Sequence, residues 1–182
     1  MYPTSRALPG FASPAVGFEL PFEMLRACHE RVQRTLALLG RLVTHVGCNG
    51  HDADSRSAAA DVLRYFDQAA PHHHEDEERH VFPLLQAAAD PLVRAAVQRL
   101  HDDHAQMATR WSQLRPVLLA WRDEAAPAPL DDRARDAAQA FAGLYDTHIR
   151  LEEDVVYPAA EALLDASARA RMGTEMQARR RG

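Results

Sequence analysis

The segment from His72 to Leu85, HHHEDEERHVFPLL, concentrates imidazole and carboxylate side chains in an otherwise alanine-rich chain. His73 and Glu77 are four residues apart within this segment. Positions four apart on an α-helix differ in direction by only about 40°, so the two side chains project from one face. Such a pair suits the binding of a cation, and the alternative is a solvated polar turn.

The same pair recurs 75 residues later, where His148 precedes Glu152 in the segment HIRLEEDVVYP. The residues that match at this offset are Leu25 and Leu100, His29 and His104, Asp61 and Asp136, Phe66 and Phe141, His73 and His148, Glu77 and Glu152, Glu78 and Glu153, Val81 and Val156, Phe82 and Tyr157, and Pro83 and Pro158. A solvated turn has no reason to keep its histidine and glutamate at a fixed offset while its other residues change. The chain is therefore predicted to contain two copies of a helix pair, packed about a pseudo-twofold axis.

One histidine from each of four helices, with two glutamates, would place four imidazoles and two carboxylates in the interior of the protein. Burying these groups without partners is very costly, and bound cations remove that cost. Imidazole and carboxylate without thiolate suit iron, manganese or zinc. With a bridging oxo or hydroxo group, these donors leave about two positions of a six-coordinate metal pair open for further ligands or dioxygen. The donor count favours a dinuclear, oxygen-reactive centre over a closed structural one.

Four helices are predicted to position these side chains, because leucine and valine recur at helical spacing between short polar breaks. The predicted ranges are 22–46, 54 or 55 to about 89 with a kink at Pro71, 91 to about 124, and 131 or 132 to about 164. Asp54 or Ser55 is predicted to cap the second helix, and Asp131 or Asp132 the fourth. Strand-like alternation is absent, which predicts an all-α fold.

The predicted organisation has three parts. Residues 1–18, which contain several prolines, form an extended N-terminal arm. Residues 19–165 form an antiparallel up-down-up-down four-helix bundle. Residues 166–182 form a short, lightly held helix at 167–178 and a solvated basic tail.

Composition excludes several classes of function. The chain has 182 residues, a net charge of −5 and a pI near 6.0, which excludes the basic surface of a nucleic-acid-binding protein. There is no apolar run long enough for a membrane span and no continuous apolar region of a signal peptide, so a cytoplasmic location is predicted. Cys28 and Cys48 show no metal-site or disulfide spacing and are predicted to be packing residues. The sequence leaves a homodimer open.

The repeated pattern H…HxxxEE…DH…HxxxEE, with Phe-Pro and Tyr-Pro closing the second and fourth helices, resembles the hemerythrin/HHE cation-binding family over about residues 20–165. The resemblance implies a four-helix bundle with a non-heme di-iron site. The implied metal ligands are His29, His73, Glu77, His104, His148 and Glu152.

The chain departs from the oxygen-carrying hemerythrins at two places. Their third helix contains HxxxH, whereas Leu100 and Ala108 occupy the positions four residues from His104 here. Their fourth helix contains HxxxxD, whereas the carboxylates here are Glu152 and Glu153. The pattern is closer to family members of the type H-HxxxE-H-HxxxE.

These features predict a protein with two iron ions and a bridging oxo or hydroxo group, for which zinc or manganese can substitute. Its predicted role is to bind or sense dioxygen or a related small oxidant. One alternative is a di-iron enzyme that disproportionates peroxide or handles nitric oxide. Another is a structural bundle that accepts zinc.

The sequence also suggests roles for several residues near the predicted ligands. Glu78 and Glu153 are expected to hold ligand imidazoles through their second N–H group. His74 and His101 either supplement the metal site or lie on the helix surface. Tyr145 and Trp111 either line the cavity of the site or pack in the core. The residues expected to be solvated are His72, Glu75 and Asp76.

Overall fold

The computed structural model describes residues 17–87, 90–124, 127 and 129–180. All regular structure within these residues is helical, which confirms the predicted all-α class. The predicted N-terminal arm lies outside the described residues except at positions 17 and 18.

The described helices are named α1 to α5 in chain order. Helix α1 is Pro21–Asn49; α2 comprises Ala53–Arg64, Tyr65–Ala69, Ala70–Asp76, Glu77–Val81 and Phe82–Leu85; α3 is Pro91–Asp123; α4 comprises Asp132–Ala142, Tyr145–Leu151, Glu152–Val156 and Tyr157–Glu161; and α5 is Ala166–Arg179.

The four long helices α1 to α4 surround a common interior. Helix α1 packs on α2, α2 on α3, α3 on α4, and α4 on α1, while α5 packs on α1. The up-down-up-down order of the bundle stays a prediction. None of the helices in the described part of the chain has the length and hydropathy that a membrane span requires.

Aspartates begin four of the helices. The side chain of Asp52 accepts a hydrogen bond from the backbone N–H of Ser55, and the Ser55 hydroxyl accepts one from the backbone N–H of Asp52. The prediction that Asp54 or Ser55 caps α2 is therefore wrong by two or three positions, because Asp52 and Ser55 together form a capping box. Asp131 caps α4 as predicted, and the other capping aspartates are Asp90 and Asp165.

Helices α2 and α4 contain π turns at equivalent positions. In α2 the backbone N–H of Phe82 donates to the carbonyl of Glu77, and in α4 that of Tyr157 donates to the carbonyl of Glu152. A proline follows each of these aromatic residues and cannot donate the normal helical hydrogen bond, so the chain takes up an extra residue just before it. A third π turn, Tyr65–Ala69, precedes Pro71 in the same way and lies where the kink was predicted.

Two apolar clusters fill the interior, and the predicted ligands lie between them. On α1, His29 lies between Leu25 of one cluster and Val32 of the other. On α3, His104 lies between Leu100 and Met107, which belong to the same two clusters respectively. The histidine and glutamate of α2 and of α4 are likewise flanked by residues of both clusters. The bundle therefore holds the polar residues in one layer between two apolar layers.

Candidate metal centre

All six predicted ligands come together in the polar layer of the bundle, and a seventh residue, His74, joins them. The side chains form two groups whose donor atoms lie within 4.8 Å of one another in each group. Cluster A consists of His29, His73, Glu77 and Glu152, and cluster B consists of His74, His104 and His148.

The two glutamates each face both clusters. Glu77 directs Oε1 toward His73 Nε2, at 3.5 Å, and Oε2 toward His104 Nε2, also at 3.5 Å. Glu152 directs Oε2 toward His29 Nε2, at 3.1 Å, and Oε1 toward His148 Nε2, at 2.9 Å. Each carboxylate thus presents one oxygen to cluster A and the other to cluster B, which is the arrangement of a bridging carboxylate.

These groups are buried without satisfying one another. Glu77 and Glu152 are both 0% exposed. Among the described residues, Glu77 Oε2, His104 Nε2, His148 Nε2 and both carboxylate oxygens of Glu152 have no partner in hydrogen-bond geometry, although the atoms approach closely. Buried polar atoms are rarely left in this state, because each loses its hydration without compensation. The donor set therefore fits bound cations, to which all of these lone pairs can be directed.

Carboxylates outside the clusters orient two of the imidazoles. His29 Nδ1 lies 2.7 Å from Glu153 Oε1, and His104 Nδ1 lies 2.8 Å from Glu78 Oε1. These contacts agree with the expectation for Glu78 and Glu153, because each holds its imidazole through Nδ1 and leaves Nε2 facing the cluster. Asp103 Oδ2 lies 3.5 Å from His148 Nδ1 without hydrogen-bond geometry, so it is a neighbouring negative charge and not a hydrogen-bond partner of that ring.

The aromatic residues before Pro83 and Pro158 cover the site in a symmetric way. Phe82 stacks on His104 with ring centroids 5.5 Å apart, and Tyr157 stacks on His29 with centroids 5.6 Å apart. The hydroxyl of Tyr157 breaks the symmetry, since it donates to Glu77 Oε1 and lies 3.2 Å from His29 Nε2. Sequence reasoning paired Tyr157 with Phe82 and missed this hydroxyl at cluster A.

Burial and neighbouring charges set the protonation of the site. Burial lowers the pKa of His74 to about 3 and that of His73 well below its usual range, so both rings are neutral. Burial also acts on His29 and His104, but close approach to Glu152 and Glu77 respectively outweighs it and raises both pKa values to about 9. Without a cation, two imidazolium groups therefore balance the two buried carboxylates. Cation binding at these rings must release those protons.

The structure distinguishes the residues whose roles the sequence left open. His74 stacks on His104 with centroids 4.0 Å apart, whereas His101 packs edge-on against Phe82 and belongs to neither cluster. Tyr145 and Trp111 line a cavity beside His74. The expectation that Asp76 is solvated is wrong, because its carboxylate is fully buried and pairs with arginines after residue 178.

Comparison with known proteins agrees with this arrangement. A family model described as the hemerythrin HHE cation binding domain matches residues 20–171. The chain is also 32% identical over 160 residues to an uncharacterized protein of Haemophilus influenzae, and the alignment covers 88% of this chain and 90% of that protein.

Proposed function

The chain belongs to the hemerythrin HHE cation-binding domain family, and from this premise we propose that it is a non-heme di-iron protein. Its proposed role is to bind or sense dioxygen or a related small oxidant. Membership of the family, together with the buried cluster of imidazoles and carboxylates, makes it a metal-binding protein. The identity of the metal and the role of the centre form the proposal.

The bridging orientation of Glu77 and Glu152 is the observation that supports two metal ions over one. A single ion bound by cluster A would use only one oxygen of each glutamate. The second oxygens would then remain buried and unpaired, beside three imidazoles that also lack a cation. Two ions use every inward-facing oxygen and nitrogen of the site.

The two clusters offer different numbers of donors. Cluster A would supply two imidazole nitrogens and two carboxylate oxygens to one ion. Cluster B, with one oxygen from each glutamate, would supply three nitrogens and two oxygens to the other. If the two ions also shared one solvent ligand, this donor count would leave an exchangeable position at cluster A. Iron held there would supply redox chemistry toward dioxygen, and the unequal donor numbers would leave a small molecule one position to occupy.

Anaerobic reconstitution tests the proposal. Protein treated with a chelator and reloaded with ferrous iron should contain about two iron ions per chain by elemental analysis. Exposure to oxygen should then change its visible absorption spectrum. One ion or none per chain would contradict the dinuclear centre. If the protein contained two ions but its absorption spectrum did not change with oxygen, the result would support the structural alternative, in which the bundle accepts zinc as readily as iron.

A peroxide-consuming enzyme is the second candidate, and the hydroxyl of Tyr157 is the observation that favours it. This hydroxyl lies within 3.2 Å of His29 Nε2 and donates to Glu77 Oε1, so it faces the cluster with the open position. Peroxide chemistry at a metal pair requires proton transfer as well as electron transfer. Tyr157 is a group that can hold a proton beside a bound oxidant.

Tyr157→Phe should distinguish the two roles. The substitution removes the hydroxyl and keeps the ring that stacks on His29, so the iron content should stay near that of the wild type. If the protein is an enzyme, peroxide consumption should fall by about 10²-fold, the lower range for loss of a positioned proton donor. If it is a binding protein, turnover is already slow and the variant should change the oxygen-dependent spectrum instead. Phe82→Tyr is the matched control, because it adds a hydroxyl at the symmetric position, beside His104, and so tests whether any change in the polarity of the site has the same effect.

A further inference from the structure

An apolar cavity of about 210 Å³ lies beside His74, on the side of cluster B. Its walls are formed by Phe66, Ala70, Pro71, Met107, Ala108, Trp111, Phe141 and Tyr145. None of these wall residues is charged. A dry cavity of about 150 Å³ lined by aliphatic and aromatic side chains is large enough to bind benzene. The cavity here is therefore larger than a diatomic molecule needs and large enough for a six-membered ring.

Four aromatic residues line the cavity beside His74, and they pack against one another. The ring centroid of Phe66 lies 4.8 Å from that of Phe141 and 5.2 Å from that of Trp111. The indole N–H of Trp111 donates to Asp67 Oδ1 at 2.9 Å, and Arg115 Nε donates to the same oxygen. The wall is therefore formed before a ligand arrives, which lowers the cost of binding.

The cavity is open to solvent on one side. Phe66, Met107, Phe141 and Tyr145 are buried and form its floor, whereas Pro71 and Ala108 are exposed and form its rim. Ala108 follows His104 by four residues, and its methyl group leaves space on the face of α3 that a larger side chain would fill. A molecule can therefore enter from solvent without passing through the bundle.

The cavity borders His74, and His74 belongs to the cluster that offers the larger number of protein donors. In the proposed di-iron centre the exchangeable position would lie at cluster A, so a small oxidant would have no need of this space. From its size, its aromatic lining and its lack of charge, we propose that the cavity binds a small, uncharged, monocyclic aromatic molecule. This site goes beyond the proposed di-iron function, because its walls contain no metal donor other than His74.

Ligand binding can be measured with 4-fluorotoluene as the probe, followed by fluorine NMR of the purified protein. The wild type should bind it saturably, and 4-fluorobenzoate, which has a charge, should bind far more weakly. Ala108→Leu places a larger side chain at the rim and should weaken binding about tenfold or more. Ala105→Leu makes the same change at another exposed position of α3 that does not line the cavity, and it should leave binding unchanged.

Binding of the probe to the cavity does not require the metal ions, so the proposed aromatic site and the proposed di-iron centre can fail separately. The probe should also bind folded protein that has been treated with a chelator, whether or not iron reconstitution yields two ions per chain. The inference would be overturned if the wild type did not bind 4-fluorotoluene saturably, or if it bound 4-fluorobenzoate equally well. It would also be overturned if Ala108→Leu and Ala105→Leu bound the probe equally, or if chelator treatment abolished binding of the probe. Thermal unfolding followed by circular dichroism checks that both variants are folded; Leu is a good helix former at exposed positions.

Discussion

Alanine substitutions along the three consecutive histidines should give three different metal contents. His73→Ala should remove the ion at cluster A, His74→Ala should weaken the ion at cluster B, and His72→Ala should leave both in place. Elemental analysis of iron-reconstituted protein should therefore give about two ions per chain for His72→Ala and about one or fewer for each of the other variants.

The expected difference follows from where the three rings lie. His73 is buried in cluster A, with its ring centroid 5.0 Å from that of His29. His74 lies in cluster B, against His104. His72 belongs to neither cluster and lines a separate surface cavity with residues that include Phe18 and Gln68. The three variants change the same residue type on the same helix, so each serves as a control for the others.

Thermal stability should follow metal content. An ion that binds the folded state at about 1,000 times its dissociation constant stabilises that state by about 4 kcal/mol. For a chain of this size, the loss of that amount lowers the unfolding midpoint by roughly 10 °C. His73→Ala should show the larger decrease, because Glu77 and Glu152 are then left buried with fewer partners. If His74→Ala behaves like His72→Ala in both measurements, cluster B does not bind an ion through three imidazoles.

The internal repeat accounts for what the sequence could predict about the site. Residues that occupy equivalent positions in both copies were all identifiable, and they include the six predicted ligands and the pair Glu78 and Glu153. The shared proline after Phe82 and after Tyr157 also explains why π turns recur at the same place, although the sequence analysis predicted a kink only at Pro71.

Sequence reasoning left the role of His74 open and missed the roles of Asp76 and of the Tyr157 hydroxyl, and each of these groups is absent from the other copy of the repeat. Their counterparts 75 positions away are chemically different: His74 is matched by Ile149, Tyr157 by Phe82 and Asp76 by Leu151. A comparison of the two copies therefore cannot predict what these groups contact. Each acts on one side of the pseudo-symmetric site, so their roles depend on contacts between helices that only the folded chain defines.

The fold itself was predictable to the level of its class and its helices, because apolar spacing marks the buried face of each helix. Helix ends were less certain. Helix α2 ends at Leu85 and α4 at Glu161, both before the predicted ends near residues 89 and 164. The sequence also gave no reason to expect that the basic residues after Ala178 would be tied to the bundle, since their partner is a single buried aspartate in α2.

Removing both Arg179 and Arg180 should destabilise the fold more than removing their common partner, Asp76. Arg179 Nη2 lies 2.5 Å from Asp76 Oδ1, and Arg180 Nη2 lies 2.5 Å from Asp76 Oδ2. Asp76 is 0% exposed, whereas the side chains of Arg179 and Arg180 are partly exposed, at 15% and 24%. The C-terminal helix is therefore held to α2, next to the proposed ligand Glu77, so the expectation of a lightly held helix and of a solvated tail does not hold for Arg179 and Arg180; the last two residues of the predicted tail lie outside the described residues.

The asymmetry arises because only one partner can recover its hydration. In Asp76→Ala, both arginines can turn into solvent, and the loss should be small. In the double variant Arg179→Ala/Arg180→Ala, a buried carboxylate loses its partners, which costs about 3 kcal/mol in the free energy of unfolding. Denaturant titration should show this difference in midpoint. Arg169→Ala/Arg171→Ala, which removes the same charge from exposed positions of α5, is the matched control.

Adding Asp76→Asn to the double arginine variant should restore much of the lost stability, because the buried charge is then gone and only a neutral amide needs partners. This third variant separates the loss of the buried ion pair from a general weakening of α5. If the double variant is no less stable than Asp76→Ala, or if the asparagine gives no recovery, then burial of the Asp76 charge does not set the strength of this contact.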